Sequence, residues 1–320
     1  MRERYLPIVA TVTVFIVLYL IGSVLYTNFL STLVLGDLLT DNAFVIIAAI
    51  GVTFVIISGG IDLSIGSMIG FISVAMAYLV SHGWHPLAAA VAMIGFGVAF
   101  GAFQGFIIDF CAIEPFIITL AGLFLLRGMC FMVSLDSLPI HHPFVDVFSD
   151  WYIPLGSGGR LSSSALVMLV VLGAGVVIAH FTRFGTNVYA MGGDRVSAAL
   201  MGVPMRRTTM MIYSLGGFYS ALGGVIYALY TASGYPLAAV GVELDAIAAV
   251  VLGGTLLTGG VGLVFGTLFG GLIQGTIQML ISFNGSLTSW WTKIFIGVLL
   301  FVFIVTQRSI MSTFVLRRAT

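Results

Sequence analysis

Charge is scarce in this sequence. Only 8% of its 320 residues are Asp, Glu, Lys or Arg, against 60% hydrophobic residues and a mean hydropathy of +1.17. Soluble domains carry about 25% charged residues. A chain with a third of that share has too little polar surface to face water, which excludes a water-soluble globular protein. Its 12 basic and 12 acidic residues cancel, which excludes a broadly basic surface for nucleic acid. There is one lysine, Lys293, and no GxxxxGK[ST] sequence, so the chain binds no ATP through a P-loop. HExxH and CxxC patterns are missing too. Cys111 and Cys130 fit no disulfide or metal spacing and read as small apolar residues within or near membrane segments. The TASG stretch at 231–234 lacks the first glycine of a membrane serine protease and has no partner histidine. These absences lead to the expectation of a membrane protein that is not an enzyme and itself holds no cofactor or metal.

Long apolar runs are abundant. The first, 6–26, is long enough to cross a bilayer core of roughly 30 Å and has no small-residue cleavage site, so it reads as an uncleaved helix. Further runs cover 43–58, 66–82, 87–109, 116–134, 162–181, 208–231, 243–258, 260–281 and 290–307. They are continuously apolar rather than alternating, which argues for helices over barrel strands. The expected class is an all-α polytopic membrane protein of about ten transmembrane helices. Only Gly259 separates 243–258 from 260–281, so one of that pair is expected to be a half-helix or re-entrant. Arg2 and Arg4 precede the first run, Arg183, Arg195, Arg206 and Arg207 share one loop, and Arg308, Arg317 and Arg318 follow the last run. With ten spans all three groups fall on one side, which the positive-inside rule makes the cytoplasm, termini included. Arg127 falls inside a helix, and Arg160 and Lys293 fall outside, the latter beside the interfacial Trp290 and Trp291. The expectation is one membrane domain over 1–320, with halves 1–134 and 162–310, an outer loop 135–161 and a cytoplasmic loop 182–207.

The outer loop, rich in proline, acids and aromatics, is either solvated or a docking surface for an outside partner; its His141 and His142 are read as solvated. In the cytoplasmic loop Asp194 is a good N-cap, RVSAALM permits a helix, and Gly202 with Pro204 stops it. Val196, Ala199 and Leu200 share a face. So short a helix does not hold alone in water, and must dock on the protein's own membrane end or on another subunit. Forty glycines are many for a helical protein, and two rows, Gly97-Gly101-Gly105 and Gly262-Gly266-Gly270, suit close helix packing. Other glycines flank acids within apolar segments: GGIDLSIGS (59–67) carries Asp62, and GVELDAIAA (241–249) carries Glu243 and Asp245. Aligning residues 60–64 with 241–245 puts the acids in corresponding places of two oppositely oriented five-helix halves. A rival alignment sets 59–70 on 259–270 by glycine spacing alone. The first is favoured, because acids inside membrane segments are costly. Glycine-broken segments in equivalent halves point to a transport pathway between them. Asp62 and Asp245 equally suit caps of helices starting near Leu63 and Ala246, and the two roles are compatible.

Three blocks, SGGIDLSIGS (58–67), TRFGTNVYAMGGDRVSAALMGV (182–203) and GVELDAIAAVVLGGTLLTGGVG (241–262), resemble the permease subunits of ribose/galactose-type ABC sugar importers, in the right order and across nearly the whole chain. Within that family LTDNAF (39–44), FIITLAG (116–122), LPIHHP (138–143) and SLTSWWTKI (286–294) are most similar to one permease of the bacterial galactofuranose importer. The resemblance implies a multi-pass protein of the bacterial inner membrane. Its partners would be paired or tandem ABC ATPase subunits holding ATP and Mg, a second, related permease, and a periplasmic sugar-binding protein. It makes 182–207 the coupling region, with Gly192, Gly193, Asp194, Arg195, Ser197, Ala198, Leu200, Met201 and Gly202 entering a groove of the ATPase. Sugar hydroxyls would meet Asp62, Ser64, Glu243 or Asp245, and Tyr235 offers an aromatic face. The alternatives are a permease for ribose, another hexose, autoinducer-2 or a branched-chain amino acid, an ion-driven secondary transporter using Asp62 or Glu243, and a membrane scaffold.

Overall fold

The most apolar helix of the chain lies at its centre. In α3 (Ala43–Ile57), 13 of 15 residues are buried, as expected of a helix that is hydrophobic all round. The computed structural model describes residues 6–156, 158–288 and 290–319. The chain runs α1 (Leu6–Leu25), α2 (Thr32–Asp41), α3, α4 (Ile65–Ser81), α5 (Pro86–Phe110), α6 (Pro115–Val133), α7 (Pro143–Asp150), α8 (Ser163–Phe181), α9 (Arg183–Gly193), α10 (Arg195–Leu200), α11 (Met205–Thr231), α12 (Val242–Leu252), α13 (Val264–Asn284) and α14 (Trp290–Ala319). Among the described residues four short strands, β1 (Leu138–Pro139), β2 (Tyr152–Pro154), β3 (Arg160–Ser162) and β4 (Ser233–Gly234), form two antiparallel pairs, β1–β4 and β2–β3. Arg2 and Arg4, and the side chains of Arg308, Arg317 and Arg318, lie outside the described residues, and with them part of the orientation reading.

Among the described residues six helices, α1, α5, α6, α8, α11 and α13, are long and apolar enough to cross a membrane, and the protein is a mostly helical polytopic membrane protein. The expected run 43–58 is preceded by α2, which meets α3 at a bend of 55°. The runs 66–82 and 290–307 correspond to shorter apolar helices, Ile65–Ser81 and Trp290–Val305. The run 243–258 contains only the 11-residue α12, about 16 Å long at 1.5 Å per residue and half a bilayer core. Val9, Val17 and Leu20 on α1, and Val298, Phe301 and Val302 on α14, are exposed, as suits faces turned to lipid.

Helix contacts follow the glycines. α5 lies against α11 where Gly97 meets Gly217 and Ala221, Gly101 meets the Tyr213 carbonyl, and Gly105 meets Met210, whose Cα is 2.9 Å from where a Cβ on Gly105 would stand. Gly266 and Gly270 meet the carbonyls of Gly253 and Ala249 in the same way, so α13 lies backbone to backbone on α12 and its following turn. Close approach of small-residue faces is what association in lipid favours.

The outer segment 135–161 is built rather than free. Pro143 opens α7, and His142, expected to be solvated, accepts from the Phe144 N–H at 3.1 Å as its cap. Val145 is buried, and β1 pairs with the distant β4. Cys130 is buried, but Cys111 is exposed at the end of α5, so only one cysteine fits the apolar-core reading.

Candidate coupling surface and translocation site

The 182–207 segment holds two helices where one was expected. Thr182 caps α9, which buries Gly185, Val188 and Met191. Tyr189 donates its hydroxyl to the Gly262 carbonyl at 2.7 Å. Gly192 lies against the Ile57 carbonyl and the Gly260 N–H, with no room for a Cβ, while Gly193 beside it faces open space. Of the two, then, Gly192 belongs to the interior. Asp194 is the N-cap of α10, accepting from the Ser197 N–H at 2.6 Å. Ser197's hydroxyl and backbone hydrogen bonds hold the Asp194 carboxyl below its usual range. Gly202, at φ +86°, ends the helix in a left-handed conformation. α10 seats itself through Ala198, which is fully buried, while Val196, Leu200 and Met201 are 69%, 84% and 73% exposed. Arg195, Ser197 and Ala199 are exposed as well. The apolar face of the helix therefore points away from the chain.

A residue that the sequence reading left out holds this helix. Asp109, near the end of α5, binds Arg195 through Oδ1 at 3.3 Å and Arg206 through Oδ2 at 3.2 Å. Its only sequence signal is an acid placed where an apolar run ends.

Asp62 and Ser64 lie together, both buried. Asp62 Oδ1 accepts from the Ser64 N–H at 2.8 Å and the Ser64 hydroxyl at 2.7 Å. This turn precedes α4 and is not an N-cap, since α4 begins at Ile65. The cluster extends to two residues that no motif or spacing singles out. Ser64 Oγ lies 3.4 Å from Gln104 Oε1 on α5. The Tyr213 hydroxyl of α11 sits 2.5 Å from where a Cβ on Gly60 would stand. Among the described residues Gln104 Nε2, Tyr213 OH and Thr209 Oγ1 are buried with no hydrogen-bond partner. Thr209 and Tyr213 line a cavity of about 100 Å³ with Gly59, Gly60, Glu114 and Arg195. The cavity thus lies between the Gly59–Gly60 turn and Arg195 at the start of α10.

Glu243, Asp245 and Tyr235 lie along a second segment. After the two-residue strand β4, residues 235–241 are irregular, and the whole stretch runs beside α4: Gly234 meets the Ser73 carbonyl, the Ala238 carbonyl meets Gly70, and the Glu243 carboxylate fills the notch at Gly66. Irregular backbone at membrane depth needs partners for its polar groups. Arg127 of α6 supplies them, donating from Nη1 to the Pro236 carbonyl at 2.6 Å and the Ala238 carbonyl at 2.9 Å. A charge inside an apolar run is the signal that marks such a residue. Tyr235 is 41% exposed. Asp245 stands apart from Asp62 and forms an ion pair with Lys293 at 2.5 Å. It does not cap a helix starting at Ala246, because α12 starts at Val242 and Asp245 falls in its first turn. The pair lines a cavity of about 350 Å³ with Asn42, Gln274, Gln278 and Thr292.

The two acid-bearing stretches also differ in local structure. Asp62 precedes its helix by three residues, and Glu243 and Asp245 lie inside theirs. The rival pairing by glycines matches the backbone more closely, with Gly59 at φ +85° and Gly259 at φ +84° ahead of helices that start at Ile65 and Val264.

Comparison with known proteins identifies the kind of machine. The profile of a family described as branched-chain amino acid transport system / permease component matches residues 34–304. The Escherichia coli K12 inner membrane ABC transporter permease protein YjfF is 53% identical over 313 residues, covering 97% of this chain and 94% of that one. The fructose import permease protein FruG of Bifidobacterium longum is 35% identical, covering 97% and 93%. The ribose import permease protein RbsC of Escherichia coli K12 is 36% identical, covering 82% of each. No solved structure matches the chain. The chain belongs to this permease family and is a transport subunit rather than an enzyme.

Proposed function

We propose that this permease is half of the membrane channel of an ATP-driven monosaccharide importer, with galactofuranose as its sugar. The single domain, 1–320, sits in the bacterial inner membrane with both termini in the cytoplasm. It crosses ten times, five per half, with α12 and its irregular lead-in forming one crossing. A second, related permease completes the pathway, a periplasmic sugar-binding protein docks on 135–161, and separate ABC ATPase subunits hold ATP and Mg. The observation that carries the reading is α10: a capped six-residue helix with Leu200, Met201 and Val196 turned outward. An apolar face so placed suits insertion into a groove of another subunit. Nucleotide binding closes the ATPase subunits and moves α10, which biases the permease between inward- and outward-open states through the ATPase's different affinity for each. The sugar passes Asp62, Ser64, Tyr235, Glu243 and Asp245. Relatives named for fructose and ribose import favour a sugar over an amino acid and leave ribose or another hexose as the second reading.

Gentle extraction of the tagged chain from native membranes, followed by mass spectrometry, tests the assembly. Recovery of a P-loop ATPase and a related permease is expected, and Leu200→Asp should lose the ATPase while the chain still inserts. Recovery of the chain alone, with uptake independent of ATP, would sink the reading.

A further inference from the structure

Asp109 lies where three elements meet. It is the penultimate residue of α5, Arg195 opens α10, and Arg206 stands in the first turn of α11. Each carboxylate oxygen takes one guanidinium, at 3.3 and 3.2 Å. The Asp109 side chain is 13% exposed, and the two arginines are 55% and 63% exposed. The Arg206 guanidinium also covers the ring of Phe110, 5.7 Å from its centre. One shielded acid therefore ties down two flexible cations on either side of α10. The elements it joins are not loose, since α5 and α11 touch backbone to backbone at Gly101 and Gly105. Five residues before Asp109 on α5 is Gln104, and seven after Arg206 on α11 is Tyr213, the two residues that reach the Asp62 turn.

We propose that Asp109 is the positioning residue that makes α10 and the α5–α11 pair move as one body. This rests on the reading of α10 as the coupling helix. Ala198 alone seats α10 by burial, and a six-residue helix has no rigidity of its own. Without the bracket, a push on α10 swings the surface helix and leaves the transmembrane pair where it was. Ion pairs whose arginines are more than half exposed contribute little to stability, so the loss appears in coupling and not in folding.

The test uses the assembled transporter in proteoliposomes. Ribose, fructose and galactofuranose are tried on the wild type, and the sugar whose binding protein stimulates ATP hydrolysis most is the probe. In Asp109→Asn, which keeps the shape and removes the charge, basal hydrolysis stays at the wild-type rate. Stimulation by the loaded binding protein falls about tenfold, an ordinary size for an allosteric coupling. Asp109→Glu recovers part of it. Combining Asp109→Asn with Arg195→Gln does no more harm than Asp109→Asn alone, because that variant already lacks the Arg195 pair. In the permease by itself, a spin label at Val196 gains mobility in Asp109→Asn, a readout that needs no sugar. Full stimulation and an unchanged label in Asp109→Asn, while Leu200→Asp abolishes stimulation, would overturn the bracket and leave the coupling surface standing. Full stimulation in both variants would overturn the surface and the bracket with it.

Discussion

Replacing Arg127 with methionine tests whether a charge inside the membrane holds the irregular segment in place. The variant keeps an unbranched apolar stem and loses both bonds that Nη1 makes, to the carbonyls of Pro236 and Ala238 at 2.6 and 2.9 Å. Hydrogen bonds to charged groups contribute about 1.5–3 kcal/mol each. Two give roughly 3–6 kcal/mol, and the half-buried position of Arg127 argues for the lower end. A cation in the bilayer also costs about 2.5–3.5 kcal/mol at a helix centre. That cost falls on the inserted helix whether or not it is packed, so it largely cancels when packed and unpacked states are compared. A loss of about 3 kcal/mol corresponds to roughly 6–12 °C in melting midpoint for a chain approaching this size. The assay is a gel-filtration melt in detergent at one heating rate, since membrane proteins unfold irreversibly. Protease cleavage within 232–241 and uptake in proteoliposomes complete it. Because one nitrogen makes both bonds, Arg127→Lys should recover about half of the loss. A methionine variant that melts within about 1 °C of wild type and transports normally would mean that the segment satisfies its carbonyls without Arg127, and the argument for a buried latch would fail.

Two neighbouring glycines should part company. Gly192→Ala drives a methyl into the Ile57 carbonyl and the Gly260 N–H, whereas Gly193→Ala meets nothing within 4 Å; the first should cost at least about 2 kcal/mol by overpacking and the second stay within ±0.5 kcal/mol, both read as shifts in melting midpoint. The cap of α10 should fail in acid. The Asp194 carboxyl is held below its usual value by Ser197, so its stabilisation is complete above the unfolded value of about 3.9 and is lost as pH falls through the lower folded value. A spin label at Val196 should loosen there in the wild type and show no such step in Asp194→Asn, whose neutral cap does not titrate.

What was legible in the sequence was local. Asp194, RVSAAL and Gly202 specify cap, helix and stop within nine residues, and the structure repeats them in that order. The rows at Gly97 and Gly266 predict close packing because only small side chains let two backbones touch, and α5–α11 and α12–α13 touch there. The partners of long-range charges were not legible. Asp109 finds its arginines 86 and 97 residues away, and Arg127 its carbonyls 109 and 111 away. No periodicity links such pairs; only the packing of α5, α6 and α11 brings them together. The start of α12 was misjudged because Gly241 takes φ +85°, a left-handed turn that lets the helix begin four residues before Ala246.

The acids teach the subtler lesson. Weighting the alignment of the two halves by Asp62, Glu243 and Asp245 assumed that costly groups mark equivalent places. The structure settles each acid by a different route: Asp62 on the following Ser64, Asp245 on Lys293, and Glu243 in a notch left by Gly66. A buried charge needs a partner and accepts any that geometry offers, so its position along the chain says little about backbone register. A glycine at positive φ has no such latitude, because the conformation itself demands it. Gly59 and Gly259 share that conformation and stand in contact, each ahead of a helix that begins about five residues later. In this protein the glycines report the backbone and the acids report where polarity is tolerated, and a reading that asks each for the other's information goes astray.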